Sequence, residues 1–347
     1  MMKCSSNLQS IQILRGLAAW MVVFHHFTQV YNQYLNNNHF STFFTQYGAM
    51  GVDVFFVISG FVMYKSTTEK AISPSTFMFN RIARIVPAYW FYTFLTTIIL
   101  LTINKLIPFT DFESIFLIKS LLFIPAPNPS GIGLYPILTV GWTLNYEMAF
   151  YLIFAGALLF RSKYQLYIIV LGIIVLQMVV PKIASDFIFY ANKISFEFLL
   201  GIAVGMMHHR HMLKISLIPA IIATLACFEI ISTTTDPHCI MQVGIPISIV
   251  VAITISQEHY FKLNKWLINL GDWSYSTYLC HVLILSIGFR LMTIWDLNIW
   301  IVLIICCLSI YVLSWASYIF VEQAANRLIK NNFVASQRRS YIVNTLI

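Results

Sequence analysis

Charge is what this chain has least of. Asp, Glu, Lys and Arg make up 10% of its 347 residues, against about a quarter in a soluble globular domain. With 59% of residues hydrophobic, there is too little polar side chain to coat a water-facing surface. The same imbalance excludes a disordered, collagen-like or disulfide-built chain. Cysteine is scarce as well. Cys4, Cys227, Cys239, Cys280, Cys306 and Cys307 form no CxxC and no Cys/His spacing. They read as small buried hydrophobes, and no metal site is expected. Basic residues outnumber acidic ones, 21 to 13. They sit in short loops between apolar runs, the pattern that membrane insertion requires, so nucleic acid is not expected as a partner. There is no internal repeat, no linker and no soluble domain. No cleavage-site pattern follows the first apolar run, which therefore reads as a retained span.

What is abundant is apolar sequence in long stretches. A span needs about 20 mostly apolar residues, and about ten candidates meet this loosely. They are 13–31, 48–65, 86–104, 140–160, 164–181, 192–208, 215–232, 240–256, 272–291 and 297–321. The runs are continuous rather than alternating, which favours helices over a barrel. The expected fold is an all-α, polytopic helical bundle in the lipid bilayer. With the N-terminus inside, sixteen of the 21 lysines and arginines fall on the cytoplasmic side. Five fall outside: Lys105, Lys119, Lys182, Lys193 and Arg290. That bias puts both termini in the cytoplasm. The expected domain is a transmembrane unit over 1–330 with a polar cytoplasmic tail over 331–347. The segment "FMFNRIARIVP" reads as an amphipathic helix ending at Pro87. The long outer loop 105–140, with "FIPAPNPSGIGLYP", is placed over the mouth of a cavity.

Ionisable residues inside apolar runs are costly and normally face a bundle interior or a wet cavity. In "LRGLAAWMVVFHHF", His26 lies eleven residues beyond Arg15. That turn is about 1100°, within about 20° of three full turns, so the two share a face about 16 Å apart along the axis. His25 lies about 80° off that line. In "GVDVFFVISGF", Asp53 enters near the outer end, and Ser59 and Gly60 are small enough for close helix approach. Arg81 and Arg84, at i and i+3, put two guanidiniums on one side of a helix, a geometry suited to phosphate. In "GWTLNYEMAFY", Glu147 has Thr143 and Tyr151 as its i−4 and i+4 neighbours. Trp142 opens that motif. In "GDWSYSTYLCHVLI", Ser274, Tyr278 and His281 share one stripe. Glu322, at the inner end of the last run, reads as an ion-pair partner. These residues fit acid–base chemistry or a transport path, and composition and spacing do not separate the two.

The ordered set "LRGLAAWMVVFHH", "GVDVFFVISGF", "RIARIVPAYW", "GWTLNYEMAFY" and "GDWSYSTYLCH" resembles the acyltransferase 3 family of bacterial membrane O-acyltransferases, in its exopolysaccharide-production (ExoZ-like) branch. The resemblance runs from residue 11 to about 322. It implies transfer of an acyl group, usually acetyl, from cytoplasmic acyl-CoA to a sugar hydroxyl of a polysaccharide or its lipid-linked precursor. The family's Arg-x10-His motif falls on Arg15 and His26, its RxxR on Arg81 and Arg84, its FFxxSG on Phe55, Phe56, Ser59 and Gly60, and its buried acid on Glu147. Relatives that carry an added SGNH-type periplasmic domain are longer, so the membrane unit is expected to act without one.

The reading that follows is an inner-membrane O-acetyltransferase using acetyl-CoA as donor substrate, with no permanently bound cofactor. His26 and Glu147 are the catalytic candidates, Glu147 orienting the imidazole. Arg15, Arg81 and Arg84 are assigned to the donor. Asp53, Ser59, Trp142, Ser274, Tyr278 and His281 are assigned to binding or orienting the substrate. Polysaccharide assembly machinery is a candidate partner. The alternatives are a proton-coupled transporter or flippase of a glycan intermediate, an assembly partner without chemistry, or an acyltransferase with a succinyl donor or a lipid, peptidoglycan or antibiotic acceptor.

Overall fold

The computed structural model describes residues 8–35, 38–69, 72–103, 106–107, 110–234, 236, 238–261 and 265–329. These form helices and no strands. In chain order they are α1 Gln9–Val30, α2 His39–Tyr47, α3 Gly51–Thr68, α4 Pro74–Thr102, α5 Ser114–Leu121, α6 Trp142–Ala157 and α7 Ser162–Met178. Then follow α8 Glu197–His209, α9 Leu217–Ser232, α10 Ile245–Ser256, α11 Lys265–Asp272, α12 Ser274–Trp295 and α13 Ile299–Ser317. Every one of the ten apolar runs holds a helix. Five helical segments are long and apolar enough to cross a bilayer: His39–Thr68, Pro74–Thr102, Ser162–Lys182, Ser274–Trp295 and Ile299–Ile329. A sixth is Ser185–Ala191 with Lys193–His209, if that pair, bent by 48°, counts as one span. At 22 residues α1 is long enough, but Gln12, Arg15, His25, His26 and Gln29 dilute its hydropathy.

The helix ends follow local chemistry. The Asn38 side chain accepts from Ser41 N at 2.8 Å to start α2, and Asn298 accepts from Trp300 N at 2.9 Å to start α13. The cap of α1 comes from far away. The Glu258 carboxylate accepts from Gln9 N at 2.7 Å and Ser10 N at 3.0 Å, placing negative charge on the positive end of the helix. Asp296 ends α12 in the left-handed region at φ +49°, which a short polar side chain tolerates better than a branched one.

α4 departs from expectation. The amphipathic segment does not stop at Pro87; one helix of 29 residues runs through it. Ser73 caps the start by accepting from Thr76 N at 3.2 Å, with Pro74 in the first turn. Pro87 removes the hydrogen bond to the carbonyl four residues back, but packing holds the helix together there. The Tyr275 hydroxyl of α12 donates to Ile85 O at 2.8 Å, and Ala88 and Tyr89 are fully buried. Arg81 and Arg84 are thereby carried rigidly on a span.

Glycines set the closest helix contacts. A Cβ on Gly60 would stand 2.1 Å from Phe198 O, and one on Gly201 would stand 2.0 Å from Val57 O. α3 and α8 therefore touch backbone to backbone. α11 lies against the N-terminal part of α1 in the same way: a Cβ on Gly271 would meet Gln12 O at 1.9 Å. α5 packs back on α4. The Tyr89 hydroxyl donates to Ser120 O at 2.9 Å, and the Trp90 indole to Leu121 O at 2.9 Å. Lys119 pairs with Asp186 at 3.3 Å, tying α5 to the segment before α8. Cys227, Cys280 and Cys306 are buried and Cys239 and Cys307 half-buried, all free, while Cys4 and the tail 331–347 lie outside the described residues.

Candidate active site

α1, α3, α4, α6 and α12 enclose a cavity of 560 Å³, within the usual range for a small-ligand site. Its wall includes Arg15, Ser59, Arg81, Arg84, Glu147, Ser274 and Tyr278. Seven of the sequence-predicted residues thus meet in one chamber although they come from five helices. Among the described residues, no carboxylate lies within 4 Å of any of the three guanidiniums. Arg15 Nη1 donates to Gln12 Oε1 at 3.0 Å. The Arg81 guanidinium sits over the Phe77 ring, 5.5 Å from its centroid, and its Nε is buried without a partner. A buried guanidinium fork with an open donor, beside two more, is poised for a polyanion.

Glu147 faces this cavity. The Ser59 hydroxyl donates to its Oε1 at 3.0 Å, and the Tyr151 hydroxyl donates to the same oxygen. This corrects one expectation. Glu147 does not orient His26; its contacts are to α3 and to its own helix. A second correction concerns Glu322, which lies in a π-helical turn, Tyr318–Gln323, beyond α13. It accepts from the Ser276 hydroxyl and makes no ion pair within 4 Å among the described residues.

Tyr278 lines the cavity. Its hydroxyl donates to Val140 O at 2.9 Å and stands 2.9 Å from Thr143 Oγ1. Its ring is 6.0 Å from that of Phe55 and 5.8 Å from the His281 imidazole, centre to centre. Beyond that ring, outside the cavity wall, lies a histidine pair: His281 Nε2 is 3.1 Å from His26 Nδ1. The stripe joining Arg15 to His26 is not the route between them. Ala19 and Val22 are buried, and α3 packs so tightly there that a Cβ on Gly51 would meet Ala18 O at 2.4 Å. His25 is occupied by Phe44 O and Gln29, each at 3.0 Å.

Asp53 and Trp142 belong to a separate cluster. Asp53 is fully buried, and His238 Nδ1 donates to its two oxygens at 3.0 and 3.2 Å. Trp142 packs 6.2 Å from the His238 ring and 6.0 Å from that of Tyr146. Burial lowers the pKa of His238, which lies in a loop outside the spans, so it meets Asp53 as a neutral N–H donor near pH 7. Glu197 is buried beside this pair. Sequence reasoning missed both partners. Glu197 was detectable as an acid at the start of an apolar run. His238 sits in a polar loop with no periodicity, and nothing local marks it.

The geometry can be set beside known proteins. Residues 8–319 match the family of the acyltransferase domain Acyl_transf_3. The chain belongs to the acyltransferase 3 family. It is 32% identical over 252 residues to the exopolysaccharide production protein ExoZ of Rhizobium meliloti (strain 1021), covering 69% of this chain and 77% of that one. It is 25% identical over 318 residues to the acyltransferase MdmB of Streptomyces mycarofaciens, covering 82% and 81%. No solved structure matches. The chamber with its three guanidiniums is thus a feature of an acyltransferase 3 chain, and the apolar helices around it mark that chain as a membrane protein.

Proposed function

We propose that the protein is a multi-pass inner-membrane O-acetyltransferase. It moves an acetyl group from cytoplasmic acetyl-CoA to a sugar hydroxyl of a surface polysaccharide or its lipid-linked precursor. The observation that carries this reading is the chamber: three guanidiniums without carboxylate partners at one end, and a tyrosine with a histidine pair behind it at the other. Support for the donor is chemical. The Arg15, Arg81 and Arg84 cluster suits the phosphates of CoA, and the apolar wall of Val52, Phe55 and Ile85 suits the pantetheine arm. The family and the name of MdmB support the reaction class, and the name of ExoZ supports the acceptor class. In this reading the ten helical runs all cross the bilayer, and both ends of the chain face the cytoplasm.

The chemistry needs one proton moved. His26 Nε2 accepts the proton of the sugar hydroxyl as its oxygen attacks the thioester carbonyl. The tetrahedral intermediate collapses with cleavage of the C–S bond, and the departing thiolate takes that proton from His26 Nε2, which returns the imidazole to its neutral form. The acyl end reaches His26 by displacing Tyr278. Glu147 balances charge in the donor chamber.

Membranes supplied with acetyl-labelled acetyl-CoA test the proposal. Label in polysaccharide that disappears in His26→Ala at normal protein levels is the expected result. Glycan movement without label transfer would identify a carrier instead. Retained function after loss of both His26 and Glu147 would identify an assembly partner.

A further inference from the structure

Two backbone carbonyls decide how the protons are arranged in the histidine pair. A carbonyl only accepts, so His26 Nδ1, 3.0 Å from Val22 O, carries its hydrogen. By the same logic His281 Nδ1, 3.1 Å from Thr277 O, carries one. His281 Nε2 then faces a nitrogen that is already protonated, at 3.1 Å. Two hydrogens cannot point at each other across that gap, so His281 Nε2 presents a lone pair, and the His26 hydrogen is shared between it and Val22 O. The direction of the chain is fixed from end to end. What remains is His26 Nε2, without a hydrogen-bond partner among the described residues. The His281 ring is fully buried, whereas the His26 ring keeps an accessible face.

We propose that His281 is a positioning residue for the transfer reaction: it locks His26 in the Nδ1–H tautomer and so makes Nε2 the atom that meets the substrate hydroxyl. This rests on the reading of His26 as the base. As Nε2 takes up the hydroxyl proton, positive charge spreads over the ring to Nδ1–H, where the His281 lone pair faces it. A carboxylate plays that part in a serine-protease triad. Here the rings beside the pair belong to His25, 5.5 Å from His26, and Tyr278, 5.8 Å from His281, and a permanent charge at that depth is expensive. A neutral imidazole supplies an acceptor without one. Its own orientation comes from α12, through Thr277 one turn back.

The test is nitrogen NMR of histidine-labelled protein in nanodiscs, with His26→Ala used for assignment, beside steady-state acetyl transfer. The expected wild-type signal is Nδ1 protonated and Nε2 bare at His26. His281→Leu leaves Val22 O as the one remaining acceptor for Nδ1–H, which weakens that preference and lowers kcat about 100-fold, with KM for acetyl-CoA held within about twofold. His281→Gln, whose amide oxygen can accept near the Nε2 position, recovers at least about tenfold of the loss. A protonated Nε2 at His26 in the wild type overturns the proposal, as does an equal loss in the Leu and Gln variants when both melt like the wild type. If His281→Leu does not fold, the wild-type tautomer and the Gln variant decide. An active His26→Ala would sink the functional reading instead, and the tautomer would still be measured.

Discussion

Ser59 and Glu147, 88 positions apart in sequence, meet at 3.0 Å where α3 faces α6. The hydroxyl and the Tyr151 phenol converge on one carboxylate oxygen. An acid is thereby held in a chamber whose wall also carries Arg15, Arg81 and Arg84.

That convergence makes the two donors non-additive. Ser59→Ala leaves Tyr151 in place, and Tyr151→Phe leaves Ser59. Each is expected to cost about 1 kcal/mol in transition-state free energy, a rate loss of about fivefold. The double variant strips a half-buried carboxylate of both donors and is expected to lose more than the product of the two, because the two hydroxyls share one oxygen and either can hold it alone. Initial rates of acetyl transfer for the two singles and the double measure the excess.

The arginines divide by burial. Arg81 is largely enclosed, with an unpartnered Nε, whereas Arg84 is exposed. Arg81→Ala is expected to raise KM for acetyl-CoA about tenfold or more, and Arg84→Ala by less. Arg81→Lys should recover little, since a point charge cannot replace the fork. Equal effects of the Ala and Lys variants on kcat, with KM unmoved, would remove Arg81 from the donor site.

Tyr278 is latched to Val140 O and Thr143. Tyr278→Phe keeps the ring and drops the latch. Thiol release from acetyl-CoA in the absence of acceptor is expected to rise about tenfold, about 1.4 kcal/mol, as water gains access to the thioester. Unchanged thiol release would mean that the ring is not a barrier.

Gly60 offers a test of the fold itself. Gly60→Ala would force a methyl to 2.1 Å from Phe198 O, and separating α3 from α8 is expected to cost about 1–3 kcal/mol or more. Gly156→Ala, with nothing within 4 Å, serves as the neutral control. Thermal unfolding in detergent, followed by size-exclusion chromatography, ranks them.

Much of the candidate site was legible because buried ionisable groups are rare enough to be read singly. Arg15, Arg81, Arg84 and Glu147 stood out against apolar neighbours, and all four line the chamber. Helical periodicity told which face Arg15 and His26 share, but not what that face touches. Here it is packed against α3. The same limit explains Glu147. Its depth was readable, but its partners lie on another helix. The expected stop at Pro87 misled because the rule that proline breaks helices is local, whereas Tyr275 and the buried Ala88 and Tyr89 act on α4 from outside.

The sequence by itself determined the solvent and the secondary structure: with so little charge the chain must live among apolar partners, and every backbone group in such runs must close its hydrogen bonds within a helix. It also determined which residues are too costly to be idle. Only the tertiary structure decided who meets whom: Glu147 with Ser59, Asp53 with His238, His26 with His281. Those pairings depend on which helices approach closely, and for α3 that approach is set by backbone contact at Gly51 and Gly60.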